Sequence, residues 1–143
     1  MSGYLFNLAG GPVCWSSRKQ RTTATSSTEA EYVAQCGAAK EAVYLRQFLN
    51  ELGRPLTTPT TVYADNTGAI ALAQNPTQSI RSRHIDFQYH YTREKLNDGT
   101  IVLEYTPTDE MIADGMTKAL APPKFARFRE QLGMKSLSAL HDA

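Results

Sequence analysis

The sequence lacks the features that mark membrane-spanning, disulfide-stapled and strongly charged proteins. It contains no apolar run close to the roughly 18 residues of a membrane helix, so no membrane span is predicted. Its two cysteines, Cys14 and Cys36, form no CxxC pair, and we expect two reduced, buried thiols. The 15 basic and 14 acidic residues nearly cancel. Bulk charge therefore does not indicate a nucleic-acid partner, although local basic patches still could.

The amino-acid composition is that of an ordinary globular domain. The chain has 143 residues, of which 41% are hydrophobic and 20% charged, which argues against disorder. This length corresponds to one domain. We expect that domain to occupy residues 1–133, followed by a C-terminal tail over residues 134–143.

The order of the predicted elements indicates an α/β protein with a mixed sheet. Two apolar segments around the turn Ala9–Pro12 predict a hairpin, and a long helix is predicted to stop at Gly53. Thr108 or Asp109 is expected to cap a helix that carries Asp114. The other predicted elements are a strand over 61–64, helices over 67–74 and 85–96, a strand over 100–105 and a helix over 124–132. The resulting order is β-β-α-β-α-α-β-α-α.

The long helix, predicted over residues 28–52, has an apolar row at helical spacing. The row comprises positions 31, 34, 38, 42, 45, 49 and 52, and six of its seven residues are apolar. Glu31 is its only charged member, so we expect Glu31 on the buried face and Glu29 on the solvent side.

Three acidic residues occupy positions where α/β domains place chemistry. Glu31 lies in the first turn of the long helix, Asp65 ends a strand, and Asp114 lies between two small residues. Carboxylates brought together repel one another unless a cation neutralises them, and Mg²⁺ favours carboxylate oxygens. Each residue also has a simpler interpretation. Glu31 could be an ordinary acid in the first turn of a helix, where the helix dipole favours negative charge. Asp65 could cap a helix, and Asp114 could be an ordinary surface residue.

Four strings carry a resemblance to a known family. They are SSTEAEYVA, YADN followed by TGAIALAQNP, RSRHIDFQYHYTREKL, and ADGMTK. In this order they closely resemble the ribonuclease H domain of copia-type LTR retrotransposon polyproteins. The resemblance runs from about Gly3 to Leu132, which is nearly the whole chain.

The resemblance implies a fold, an activity and a set of site residues. The family fold is a ribonuclease H-like mixed β-sheet of five strands flanked by helices. Its activity is metal-dependent endonucleolytic cleavage of the RNA strand in RNA/DNA hybrids during reverse transcription. Four carboxylates hold two Mg²⁺ or Mn²⁺ ions. Glu31, Asp65 and Asp114 correspond to three of the four, both as catalytic residues and as metal ligands.

The fourth carboxylate of the family is missing from this sequence. In the family it is an Asp on the first, central strand, whereas no Asp precedes Asp65 here. We therefore expect the first central strand to be missing or replaced, metal binding to be weakened, and the chain alone to be weak or inactive. We expect the sequence to be either a truncated enzyme or a natural short gene. The alternative function is a domesticated, non-catalytic module that binds nucleic acid or a protein.

Two basic clusters are candidates for phosphate contacts. One follows the predicted hairpin and the other precedes the helix that begins near residue 85. An ordinary role as solvated loops stays open for both. The candidate nucleic-acid-binding residues are Arg18, Lys19, Arg21, Arg81, Arg83 and His84.

The predicted partners follow from the resemblance and from the missing strand. The resemblance implies an RNA/DNA hybrid as substrate and the reverse transcriptase of a parent polyprotein as neighbour. It also implies a cytoplasmic location, which includes virus-like particles, or a nuclear one. An unpaired strand edge is a template for a second chain. We therefore expect a homodimer in which the hairpin Gly3–Ser16 takes part.

Overall fold

The computed structural model describes residues 1–20, 26–75 and 83–135. The chain divides into two compact units. The first unit combines the N-terminal 20 residues with the chain from Ile112 onward, and the second spans the residues between them up to Met111. The proposed tail over 134–143 lies outside the described residues from position 136 onward.

The first unit is built on the predicted hairpin. Strand β1 (Ser2–Leu8) pairs antiparallel with β2 (Gly11–Arg18). The two residues between them, Ala9 and Gly10, have φ angles of 51° and 87°. Positive φ at both central residues is what a two-residue turn requires to match the twist of a hairpin. The hairpin prediction is therefore confirmed.

The predicted helix around Asp114 is wrong in type. The structure has two short 3-10 helices, Thr108–Glu110 and Ile112–Met116, and an extended Met111 between them. Gly115 disfavours a longer helix because glycine loses more backbone entropy than other residues on ordering. Helix α4 (Pro122–Gln131) completes the described part of the first unit, with proline in its first turn.

The second unit is organised around two parallel strands. Strand β3 (Thr60–Ala64) pairs with β4 (Ile101–Tyr105) in register, from Thr60 opposite Ile101 to Ala64 opposite Tyr105. Helices α2 (Thr67–Gln74) and α3 (Arg83–Asn97) lie between the strands along the chain. Alternate strand residues point into the core, as period-two geometry requires. The buried strand residues are Val62, Ala64, Ile101 and Leu103.

Helix α1 (Ser27–Glu51) has the predicted ends but a different buried face. The Ser26 side chain accepts a hydrogen bond from the Glu29 amide, and Gly53 closes the C-terminus with φ of 72°. Glu31 is exposed, so its predicted place on the buried row is wrong. Burying a neighbouring aromatic ring is favourable, whereas burying a carboxylate is costly. The buried residues of α1 are Tyr32, Gln35, Cys36, Ala38, Ala39 and Ala42.

The chain is a mixed α/β protein with small sheets flanked by helices, as predicted, and this architecture is compatible with a ribonuclease H-like fold. The described strands form two separate two-stranded sheets, β1–β2 and β3–β4. Among the helices of the described ranges, none is long and apolar enough to cross a membrane.

Candidate active site

Asp65 lies at the carboxyl edge of the parallel strand pair. It directly follows β3 and is half-buried. The pairing of the two strands continues to this edge, where the Thr106 amide donates a hydrogen bond to the Ala64 carbonyl at 2.9 Å. The carboxyl edge of parallel strands is where α/β proteins gather ligands. The position of Asp65 therefore suits a binding role.

Helix α2 is capped by Asn66, which leaves the neighbouring aspartate available. The Asn66 Oδ1 atom accepts a hydrogen bond from the Ala69 amide at 2.9 Å. The simpler interpretation of Asp65 as the capping residue is therefore excluded. In the part of the chain that the structure describes, no Lys or Arg forms an ion pair with the Asp65 carboxylate.

The N-terminal turns of α1 and α2 pack closely against each other. A Cβ atom on Gly68 would lie 3.3 Å from Cγ2 of Thr28 and 3.1 Å from Oδ1 of Asn66. Glycine at position 68 therefore permits the first turn of α2 to approach the first turn of α1. The contact brings together the segment that carries Glu31 and the segment that follows Asp65. Glu31 itself lies three residues beyond Thr28 and is exposed.

Asp114 belongs to the first unit and is held by an ion pair. It lies in the second 3-10 helix, and its two carboxylate oxygens each accept a hydrogen bond from Nζ of Lys118 at 2.9 Å. The Asp114 carbonyl also accepts hydrogen bonds from the Thr117 and Lys118 amides. The Lys118 side chain is more exposed, at 58%, than the Asp114 side chain, at 22%. The lysine side of this ion pair is therefore the more open to solvent.

The backbone around Asp114 is fixed by two close contacts within the first unit. A Cβ atom on Gly115 would lie 2.5 Å from the Phe128 ring of α4. The Ser17 hydroxyl of β2 donates a hydrogen bond to the Met116 carbonyl at 2.6 Å. These contacts attach the 3-10 helix both to α4 and to the hairpin, so Asp114 is a well-positioned carboxylate.

Carboxylates are the right type of ligand for a hard divalent cation, but the described residues gather too few of them around one point. Carboxylate oxygens are the ligands that Mg²⁺ and Mn²⁺ prefer. Neither unit gathers three His, Cys, Asp or Glu side chains around one point within the described ranges. Glu31 and Asp65 belong to one unit, and Asp114 belongs to the other.

The two cysteines differ in burial. Both are free, with Cys36 buried in α1 and Cys14 half-buried in β2. Burial raises the pKa of the Cys36 thiol, which keeps the sulfur protonated. A protonated thiol is a poor nucleophile and a poor metal ligand. The predicted burial is confirmed for Cys36 and wrong for Cys14, and both thiols are free in the structure.

The predicted nucleic-acid-binding residues are described only in part. Arg18 and Lys19 are exposed at the end of β2. Arg21 and Arg81 lie outside the described residues. Arg83 and His84 lie in the first turn of α3, where the backbone alone is described.

Sequence reasoning missed two contributors to the site. The sequence did contain a signal for Lys118, because it follows Asp114 at the four-residue spacing of helical ion pairs. The contact between Thr28 and Gly68 had no such signal, since these residues are 40 positions apart along the chain.

The fold and the acidic residues together define a mixed α/β domain with carboxylates at the ends of its strands and helices. Curated relatives of the chain are larger proteins that contain a similar segment. It is 39% identical over 135 residues to a retrovirus-related Pol polyprotein from transposon TNT 1-94 of Nicotiana tabacum. It is 36% and 35% identical over 133 residues to the corresponding polyproteins from transposons RE1 and RE2 of Arabidopsis thaliana.

The similarity covers nearly all of this chain but little of each relative. The alignments include 93–94% of the chain and 9–10% of the polyproteins. No family model matches the chain, and no solved structure matches it. The chain is thus a homologue of one segment, about a tenth of the length, of retrotransposon Pol polyproteins.

Proposed function

We propose that the chain is the ribonuclease H-like segment of a retrotransposon polyprotein. In this proposal Glu31, Asp65 and Asp114 are its catalytic and metal-binding carboxylates. The observation that carries the proposal is the position of Asp65 at the carboxyl edge of β3, beside the packed first turns of α1 and α2. The similarity to Pol polyproteins over 94% of the chain supports it.

The proposed cofactor is Mg²⁺ or Mn²⁺. A bound divalent ion would supply the positive charge that stabilises a phosphodiester during cleavage. In this proposal the residues that would hold that charge are Asp65 after β3, Glu31 in α1 and Asp114 in its 3-10 helix. Lys118 neutralises Asp114 when no metal is bound. It must release the carboxylate before Asp114 can bind a cation, so it competes with the metal.

The proposed substrate is an RNA/DNA hybrid. Hybrids differ from DNA duplexes in the 2′-hydroxyl groups that line the minor groove. Phosphate contacts would come from the exposed Arg18 and Lys19 at the end of β2, and from the second basic cluster. The proposed neighbour is the reverse transcriptase of the same polyprotein.

The activity of these 143 residues alone is expected to be weak. The first 64 residues contain no Asp, so the segment has three of the four carboxylates that its resemblance implies. We expect RNA cleavage in a hybrid to be at least about a hundredfold slower than in a complete ribonuclease H, because loss of one group that stabilises the transition state typically costs that much.

The experiment measures cleavage of a labelled RNA/DNA hybrid in Mn²⁺ by the full chain and by two matched variants. Asp114→Asn is expected to remove the residual cleavage, and Asp109→Asn, an exposed aspartate nearby in sequence, should leave it unchanged. Cleavage as fast as that of a complete enzyme would contradict the predicted loss. Hybrid binding without any cleavage would favour a non-catalytic nucleic-acid-binding module instead.

A further inference from the structure

Helix α1 presents an exposed apolar stripe along its outer side. Tyr44 and Phe48 are 60% and 47% exposed, and Leu52, just after the helix, is 61% exposed. The two rings stack with their centroids 6.4 Å apart. Residues four apart lie on one side of a helix. The chain therefore exposes a continuous row of large apolar side chains, which is rare on surfaces without a partner.

The stripe has opposite charges at its two ends. Lys40 is exposed one turn before Tyr44, and its Nζ lies 5.6 Å from the centre of the Tyr91 ring of α3. Glu51 is exposed at the other end and accepts a hydrogen bond from Gln47. Lys40 and Glu51 are 11 residues apart, which is about 16 Å along the helix axis. They are therefore too far apart to pair within one helix.

We propose that this stripe is the contact surface of a homodimer in which two copies of α1 pack antiparallel about a two-fold axis near Arg46. An isologous interface must be self-complementary. Under this symmetry residue 44 faces residue 48 of the second copy, so Tyr44 meets Phe48 of the partner subunit. Lys40 then lies beside Glu51 of the partner subunit, once at each end of the interface.

A second copy fits this stripe better than other partners do. Aromatic side chains are enriched at the centre of protein interfaces, with charges at the rim. Arg46 does not add a free cation to the stripe. Its guanidinium donates to the carbonyls of Leu56 and Thr58 and to the Thr60 hydroxyl. A nucleic-acid surface would need several cations here. The pairing also differs from the hairpin contact predicted from the sequence, and it does not depend on the proposed nuclease function.

Sedimentation equilibrium of the full chain over a wide concentration range tests the proposal. The wild type is expected to sediment as a dimer of 15.8 kDa subunits. Phe48→Glu should raise the dimer dissociation constant at least about a hundredfold, because it places a charge against an apolar partner. Trp15→Ser, which changes an exposed hairpin residue, should leave the dimer unchanged. Far-ultraviolet circular dichroism checks that each variant is folded.

A charge swap tests the pairing itself. Lys40→Glu and Glu51→Lys should each raise the dissociation constant about three- to tenfold, since each dimer contains the pair twice. The double variant Lys40→Glu/Glu51→Lys should restore most of the lost affinity. A wild type that is monomeric throughout, a dimer abolished by Trp15→Ser but not by Phe48→Glu, or a double variant no better than the singles would each overturn the proposal.

Discussion

Replacing Tyr32 by alanine is expected to destabilise the chain by about 3–5 kcal/mol, the usual cost of truncating a large buried side chain. Tyr32 is 0% exposed and is among the largest fully buried side chains in the described residues. Its removal would leave a cavity that the surroundings fill only in part. For a protein of this length the melting temperature should fall by roughly 10–20 °C.

The neighbouring substitution Glu31→Ala is the matched control. Glu31 is exposed, so its removal should change stability by less than about 1 kcal/mol. A comparison of the melting temperatures of the two variants tests which face of α1 is buried. If Glu31→Ala were the more damaging of the two, the buried row predicted from the sequence would be correct and the observed face would be wrong.

Gly115→Val is expected to lower the free energy of unfolding by about 2–3 kcal/mol, which is roughly 6–12 °C in melting temperature. The first side-chain carbon would lie 2.5–2.8 Å from three atoms of the Phe128 ring. The ring, and α4 with it, must move away from the 3-10 helix that carries Asp114. Differential scanning calorimetry measures the effect.

Gly11→Val controls for the general effect of replacing a glycine. Gly11 is the first residue of β2, and apart from its chain neighbours no heavy atom lies within 4 Å of a Cβ built there. Valine is favourable in strands, so this variant should be within about 0.5 kcal/mol of the wild type. Equal stability of the Gly115→Val and Gly11→Val variants would show that the contact between Gly115 and Phe128 does not support Asp114.

Local chemistry explains why several elements were predictable from the sequence. Ser26 and Asn66 cap their helices because short polar side chains satisfy the first free amides. Gly53 ends α1 because it adopts positive φ without strain. The period-two pattern of β3 and β4 is likewise local. Each of these features depends on residues close together in the chain.

The features that failed depend on tertiary packing. The spacing of apolar residues alone could not predict which side of α1 faces the core, because the helical rows beginning at Glu31 and at Tyr32 are both rich in alanine. The elements that pack against α1, which are β3, α2 and α3, distinguish them. The 3-10 geometry at Asp114 likewise depends on how Gly115 meets Phe128 of α4. The sequence predicted which acidic residues belong to the candidate site. The ion pair between Lys118 and Asp114 was found only in the structure.

The central proposal is that Glu31, Asp65 and Asp114 are metal-binding carboxylates. A titration with Mn²⁺, followed by paramagnetic broadening of amide NMR signals, tests it most directly. We expect the amide signals of Asp65 and Asp114 each to broaden at low Mn²⁺, and the signals around position 65 to broaden far less in Asp65→Asn. Lys118→Met should tighten binding by up to about fivefold, because the competing ammonium is gone. Identical titrations of the wild type and Asp65→Asn would contradict metal binding by Asp65.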